Sequence, residues 1–136
     1  MVKLKRFEDL NAWQHARILV RLVYQVTSSD AFSPDRDLVR QIRRAAVSVM
    51  SNIAEGFSRY TFKDSKQFYV TARGSLAELR SQLHVASDLK YLGEVNGQAV
   101  QTQLEVTGKL LSGLIRNSQR RLEIVTTDRT IEQMSH

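Results

Sequence analysis

Apolar residues recur along this chain at intervals of three and four, and no segment sustains the interval of two that a half-buried strand requires. That periodicity restricts the chain to helices packed on one another. One proline and six glycines punctuate it. The runs between them predict an all-α, antiparallel up-down four-helix bundle, with helices over about 9–28, 35–59, 62–92 and 97–119. Connections this short force consecutive helices to lie side by side.

Each run has its own stripe. Leu10, Trp13, Ala16, Val20 and Val23 mark the first helix, and Leu38, Ile42, Ala45, Val49 and Ile53 the second. Phe68, Ala72, Ser75, Leu79, Leu83 (with Gln82) and Ala86 mark the third, and Val100, Leu104, Thr107, Leu111 and Leu114 the fourth. Ser33 is the expected N-cap before Pro34, Thr61 and Asp64 stand in a capping-box relation, Gly93 is placed to end helix three, and Asn96 to cap helix four. From Leu122 the chain loses period and bulk. Residues 1–121 therefore read as one bundle domain and 122–136 as a frayed, flexible C-terminal tail.

At 136 residues, 42% hydrophobic and 25% charged, the composition is that of one globular domain. There is no cysteine, which removes disulfides, thiolate metal sites and a cysteine nucleophile. The N-terminus lacks a signal-peptide apolar run and no segment is long and apolar enough to span a membrane, so a cytoplasmic location without membrane association is the expectation. A net charge of +6 and a pI near 10.0 favour an anionic partner. Between Arg36 and Arg80 nine Lys/Arg face four acids, so the excess sits in the middle of the chain.

The stretch "SVMSNIAEGFSRY", 48–60, places Asn, Glu and Gly inside the second helix. With Leu38 at zero and about 100° per residue, Asn52 falls near −40° and Gly56 near zero, both facing the bundle. A buried Asn needs partners, and folding helix three back brings Thr71, Gly74 and Ser75 towards it. Small residues on both sides (Ala45, Ala46, Ser48 and Gly56 facing Ala72, Gly74, Ser75 and Ala77) predict a close, locally polar seam, with Asn52 as a register pin. Glu55 lies at the flank, four residues before Arg59, and reads as a helical ion pair rather than a catalytic acid.

These motifs, "AAVSVMSNIAEGFSR" with "FEDLNAWQHARIL", "QIRRAAVS" and "FYVTARGSLAELRSQL", resemble the four-helix-bundle family encoded in intervening sequences of bacterial 23S ribosomal RNA genes. The resemblance covers roughly Phe7 to Arg121. It implies an antiparallel bundle that assembles into a ring, typically a pentamer, with a basic surface that binds nucleic acid; related bundles serve as accessory subunits to reverse transcriptases. Members usually have Pro two residues before the Asn, where this chain has Met50, so a kink there is expected to be absent or milder.

Arg36, Arg40, Arg43 and Arg44 cluster on the wheel opposite the core of helix two, and Lys66, Arg73 and Arg80 recur every seven residues along one face of helix three. Such rows serve either as solvated faces or as phosphate-tracking surfaces, with RNA the more expected ligand. Tyr60, Phe62 and Tyr69 lie near Arg59, Lys63 and Lys66, where they read as stacking platforms or as core. Val70, Ala77, Val85 and Gly74 form a second, non-core apolar face on helix three, which predicts a homo-oligomer interface.

Catalytic chemistry finds no support. No glutamate opens the Glu-x-x-His pair that di-iron bundles need, and His15, His84 and His136 are scattered. Nor is there a G-x-S-x-G, P-loop or G-x-G-x-x-G motif, so no cofactor or metal is expected. Two classes remain: an oligomeric nucleic-acid-binding bundle, and a protein–protein adaptor such as a reverse-transcriptase accessory subunit.

Overall fold

In a computed structural model, the described residues are 4–134, with side chains described for all but 125–132. Four helices are found there: α1 (Asn11–Thr27), α2 (Arg36–Phe57), α3 (Phe62–Asp88) and α4 (Glu94–Met134). One-turn 3-10 segments, Phe7–Asp9 and Asp30–Phe32, precede α1 and α2. α2 packs most extensively on α3, α3 on α4, and α1 on both α2 and α4, which closes a square with α1 and α3 at opposite corners.

The expected stripes fill this square. Leu38, Ile42, Ala45, Val49 and Ile53 of α2 are all buried, against Ala16, Leu19 and Val23 of α1 and Val100, Leu104 and Leu111 of α4. On α3 the buried set is Ser65, Tyr69, Ala72, Leu76, Leu79, Leu83 and Ala86, alternating four and three. Phe68 and Ser75, expected at its centre, lie half-buried at its edge. Small Ser65 and Ala72 share the inner face with Tyr69, so apolar bulk alone misjudges where that face is centred.

Local chemistry sets the ends. α2 is capped by Asp35, not Ser33: the Asp35 carboxylate accepts from Leu38 N at 3.1 Å, while Ser33 lies in a turn where its hydroxyl donates to the Asp30 carbonyl. Thr61 caps α3 as expected, accepting from Asp64 N at 3.1 Å. α3 stops at Asp88 rather than near Gly93, because Lys90 takes a left-handed φ of 64°. Lys90 N then donates to Ser87 O, and Tyr91 N to Ala86 O, the two bonds of a Schellman turn. Gly93 instead precedes α4, and Asn96 lies inside its first turn rather than capping it.

α2 runs unbroken through Met50, which is half-buried against the core. The largest departure is α4. Its buried stripe ends at Ile115 and Ser118, but the helical backbone continues to Met134, past the expected end at 119. No Gly or Pro follows Gly113, so nothing interrupts the backbone ladder where burial stops. Residues 135 and 136 of the expected tail, His136 among them, lie outside the described residues.

Candidate nucleic-acid interface

The C-terminal half of α1 and the N-terminal half of α2 lie side by side, and between them runs an open groove of about 760 Å³. Arg36, Arg40, Arg43 and Arg44 all line it, together with the hydroxyls of Thr27, Ser28, Ser29 and Ser33 and the ring of Tyr24. No acid is among its lining residues. The four arginines do not play equal parts.

Arg43 is held in place. Its Nε donates to Thr27 Oγ1 at 2.9 Å, one Nη donates to Ser28 Oγ at 3.1 Å, and its guanidinium lies 4.5 Å from the centroid of the Tyr24 ring. Thr27 and Ser28 pass their own protons back to the carbonyls of Val23 and Tyr24, so both hydroxyl oxygens are turned to accept from Arg43. The expectation that Arg43 points freely to solvent is therefore corrected: it ties α2 to the end of α1. Arg40 pairs with Asp37 across one helical turn, both side chains well exposed. Exposed pairs of this kind contribute little and exchange readily for a competing anion. Arg36 and Arg44 are exposed, and among the described residues neither has an ion-pair or hydrogen-bond partner.

The row on α3 meets a second set of cations. Lys66, Arg73 and Arg80 line grooves between α3 and α4, where Lys109, Arg116 and Arg120 face them. Lys66 Nζ donates to Gln119 Oε1. Because α1–α2 and α3–α4 are opposite edges of the square, the two basic grooves face away from each other.

The α2–α3 seam is close and polar, with corrected membership. Ser48 Oγ and Ser75 Oγ are 2.8 Å apart, and Asn52 Nδ2 donates to Ser48 O at 2.9 Å and Ser48 Oγ at 3.1 Å. Asn52 thus reaches the facing helix through Ser48 rather than directly. Thr71 bonds back to Gln67 O on the outer surface. Gly74 lies outside the seam: it is exposed, with nothing within 4 Å of where a Cβ would stand. A close approach is found instead at Gly56, against the ring of Tyr69. Glu55 and Arg59 form the expected pair at 2.7 Å, and the Arg59 guanidinium also covers the Phe68 ring at 4.3 Å.

Of the aromatics expected near cations, Tyr60 is fully exposed, Phe62 carries the Arg121 guanidinium 5.5 Å from its centroid, and Tyr69 is buried, where desolvation pushes its phenol up to about 12. Tyr24 and the α4 cations were missed. Lys109 and Arg116 share the seven-residue spacing of the α3 row, a signal visible in the sequence; Tyr24 has none, because its groove exists only once α1 and α2 are side by side. Among the described residues no group of His, Cys, Asp and Glu could hold a metal ion, and no helix is long and apolar enough to cross a membrane.

A family model described as 23S rRNA-intervening sequence protein matches residues 8–113. The chain belongs to that family. The matched span holds α1, α2, α3 and the arginine groove, and ends before Arg116, Arg120 and the overhanging part of α4. A crystal structure from Bacteroides thetaiotaomicron, described as a protein with unknown function from the S23 ribosomal protein family, superposes with a TM-score of 0.65 at 18% identity, covering 76% of this chain and 94% of that one. Likeness at that identity establishes the shared bundle fold. No curated protein matches the chain in sequence. For this member of the 23S rRNA-intervening sequence family, the fold and the two grooves are therefore the grounds for a functional reading.

Proposed function

We propose that this protein is a non-enzymatic, cytoplasmic RNA-binding bundle that works as a homo-oligomer, a pentamer on the family pattern, and that RNA phosphates lie in the α1–α2 groove. The observation that carries the reading is the convergence of Arg36, Arg40, Arg43 and Arg44 on one groove without a lining acid. Arg43 is anchored and orients the site, Arg36 and Arg44 are free to meet phosphate oxygens bidentately, and Arg40 can exchange Asp37 for a phosphate. Phosphate contacts of this kind are tolerant of sequence and release counterions, so affinity falls with salt. The exposed apolar face of α3, Val70, Ala77 and Val85, is the surface assigned to self-association.

RNA retention by the full chain, measured across a salt series, tests this. Replacing Arg36 and Arg44 by Glu should abolish retention, and replacing them by Ala should lower the log–log salt slope by about 0.7 for each phosphate of a single strand that is no longer neutralised. Unchanged binding and slope in both variants would sink the phosphate reading. Tight, salt-insensitive capture of a purified protein in the absence of nucleic acid would favour the adaptor role instead.

A further inference from the structure

The α3–α4 side of the bundle is built differently from the arginine groove. Two confluent grooves of about 690 and 540 Å³ share Arg73 and Arg116 and extend from Lys66 to Arg80. Arg73, Arg80, Lys109, Arg116 and Arg120 line them against two acids, Glu105 and Glu123, and none of these cations has an ion-pair partner among the described residues. The floor is aliphatic, with Leu76 and Ile115 beneath exposed Val70 and Ala77, and no aromatic ring lines either groove. Bases find no stacking platform here, whereas an amphipathic protein helix with acidic flanks finds both of its requirements.

The chain itself carries a segment of that character. α4 is 41 residues long and α3 27, which at about 1.5 Å per residue leaves α4 overhanging the bundle by roughly 20 Å. The overhang, residues 122–134, has three acids (Glu123, Asp128, Glu132) against one arginine (Arg129) in a protein whose net charge is +6. Ile124 and Met134 are exposed on it. Its 13 residues match the stretch from Lys66 to Arg80 in length, about 20 Å each. Glu123, at the root of the overhang, already lines the groove of its own copy, so the acids left for docking are Asp128 and Glu132; from Ile124 the continuous helix leads out of that groove's end.

We infer that the α4 overhang of one copy docks in the α3–α4 groove of a second copy, acids against the unpaired cations and apolar residues on the aliphatic floor. The contact is heterologous, so repetition gives a ring where the rotation closes and a filament where it does not. This rests on the homo-oligomer reading above and names the element that covers the outer face of α3.

Charge exchange in the full chain tests it, with mass read by sedimentation equilibrium at low salt. The Asp128→Lys/Glu132→Lys protein and the Arg73→Glu/Arg116→Glu protein should each fall towards the one-chain mass of 15.6 kDa, and an equimolar mixture of the two should form mixed oligomers well above it, with the two proteins alternating. A tail-reversed protein that keeps the wild-type mass, or a mixture that stays at the one-chain mass, overturns the docking while leaving self-association standing. A wild-type protein of one-chain mass overturns the homo-oligomer reading itself. As a check independent of charge, Ala77→Cys and Gln133→Cys in separate copies of this cysteine-free chain should form a disulfide-linked dimer under mild oxidation; no dimer counts against the inference.

Discussion

A Cβ added to Gly56 would stand 2.5 Å from Cε1 and 2.8 Å from Cδ1 of the Tyr69 ring, with the Ser65 carbonyl oxygen at 3.1 Å. α2 and α3 meet backbone to ring at this point. The ring is buried, so it has little room to yield, and the Ser65 oxygen belongs to the helix backbone. Gly56→Ala gains about 1 kcal/mol of helix propensity but loses about 1–3 kcal/mol to overpacking, so it should lower the thermal midpoint.

Gly74→Ala should do the opposite. The same gain of roughly 0.5–1 kcal/mol applies in the middle of α3, and nothing lies within 4 Å of the added methyl. A pair of urea melts on the two alanine variants checks both signs against one reference. Destabilisation by Gly74→Ala would contradict the exposed position.

The Tyr69 phenol titrates near 12 because burial penalises its ionised form. Its folded-state value lies above the ordinary value of 10.0, so the contribution is fully present below about pH 10 and is lost as pH rises towards 12. The thermal midpoint should therefore fall over that window more steeply in the wild type than in Tyr69→Phe, which keeps the ring against Gly56 and has no proton to lose. Identical slopes in the two proteins would show that the phenol is not protected.

Much of the fold was legible because α2 reports its inner face directly: Leu38, Ile42, Val49 and Ile53 leave one way to turn the helix. The seam was legible in part for the same reason, since Ser48, Asn52 and Gly56 follow from that orientation. What was not legible depends on two helices at once. Arg43 sits on the outer side of its own wheel, yet its partners Thr27 and Ser28 are 16 and 15 residues away on α1. The end of α3 was obscured by Gly93, while a lysine took the left-handed position three residues earlier. The overhang of α4 escaped notice because apolar period reports burial, and a helix that leaves its bundle keeps its hydrogen bonds without it.

Thr107 is fully buried in the α4 stripe between Leu104 and Leu111, and among the described residues its hydroxyl has no hydrogen-bond partner. A buried, unpaired hydroxyl costs on the order of 1–3 kcal/mol, and valine has nearly the same shape without that group. Thr107→Val should raise the unfolding free energy by about 1 kcal/mol with the denaturant m-value unchanged. A loss of stability would mean that the hydroxyl has a partner after all.

Arg43 and Arg44 are adjacent in sequence and differ in what they hold. Arg43→Ala removes two hydrogen bonds to α1 and the cover over Tyr24, and should cost about 1–2 kcal/mol of stability. Arg44→Ala removes no hydrogen bond or ion pair among the described residues and should stay within about 0.5 kcal/mol of the parent. RNA retention should weaken in both. A denaturant melt beside a retention assay then separates the two roles: the arginine that builds the groove moves both readouts, and the arginine that offers itself to phosphate moves one. Equal stability losses would place Arg44 in a contact that the structure does not contain.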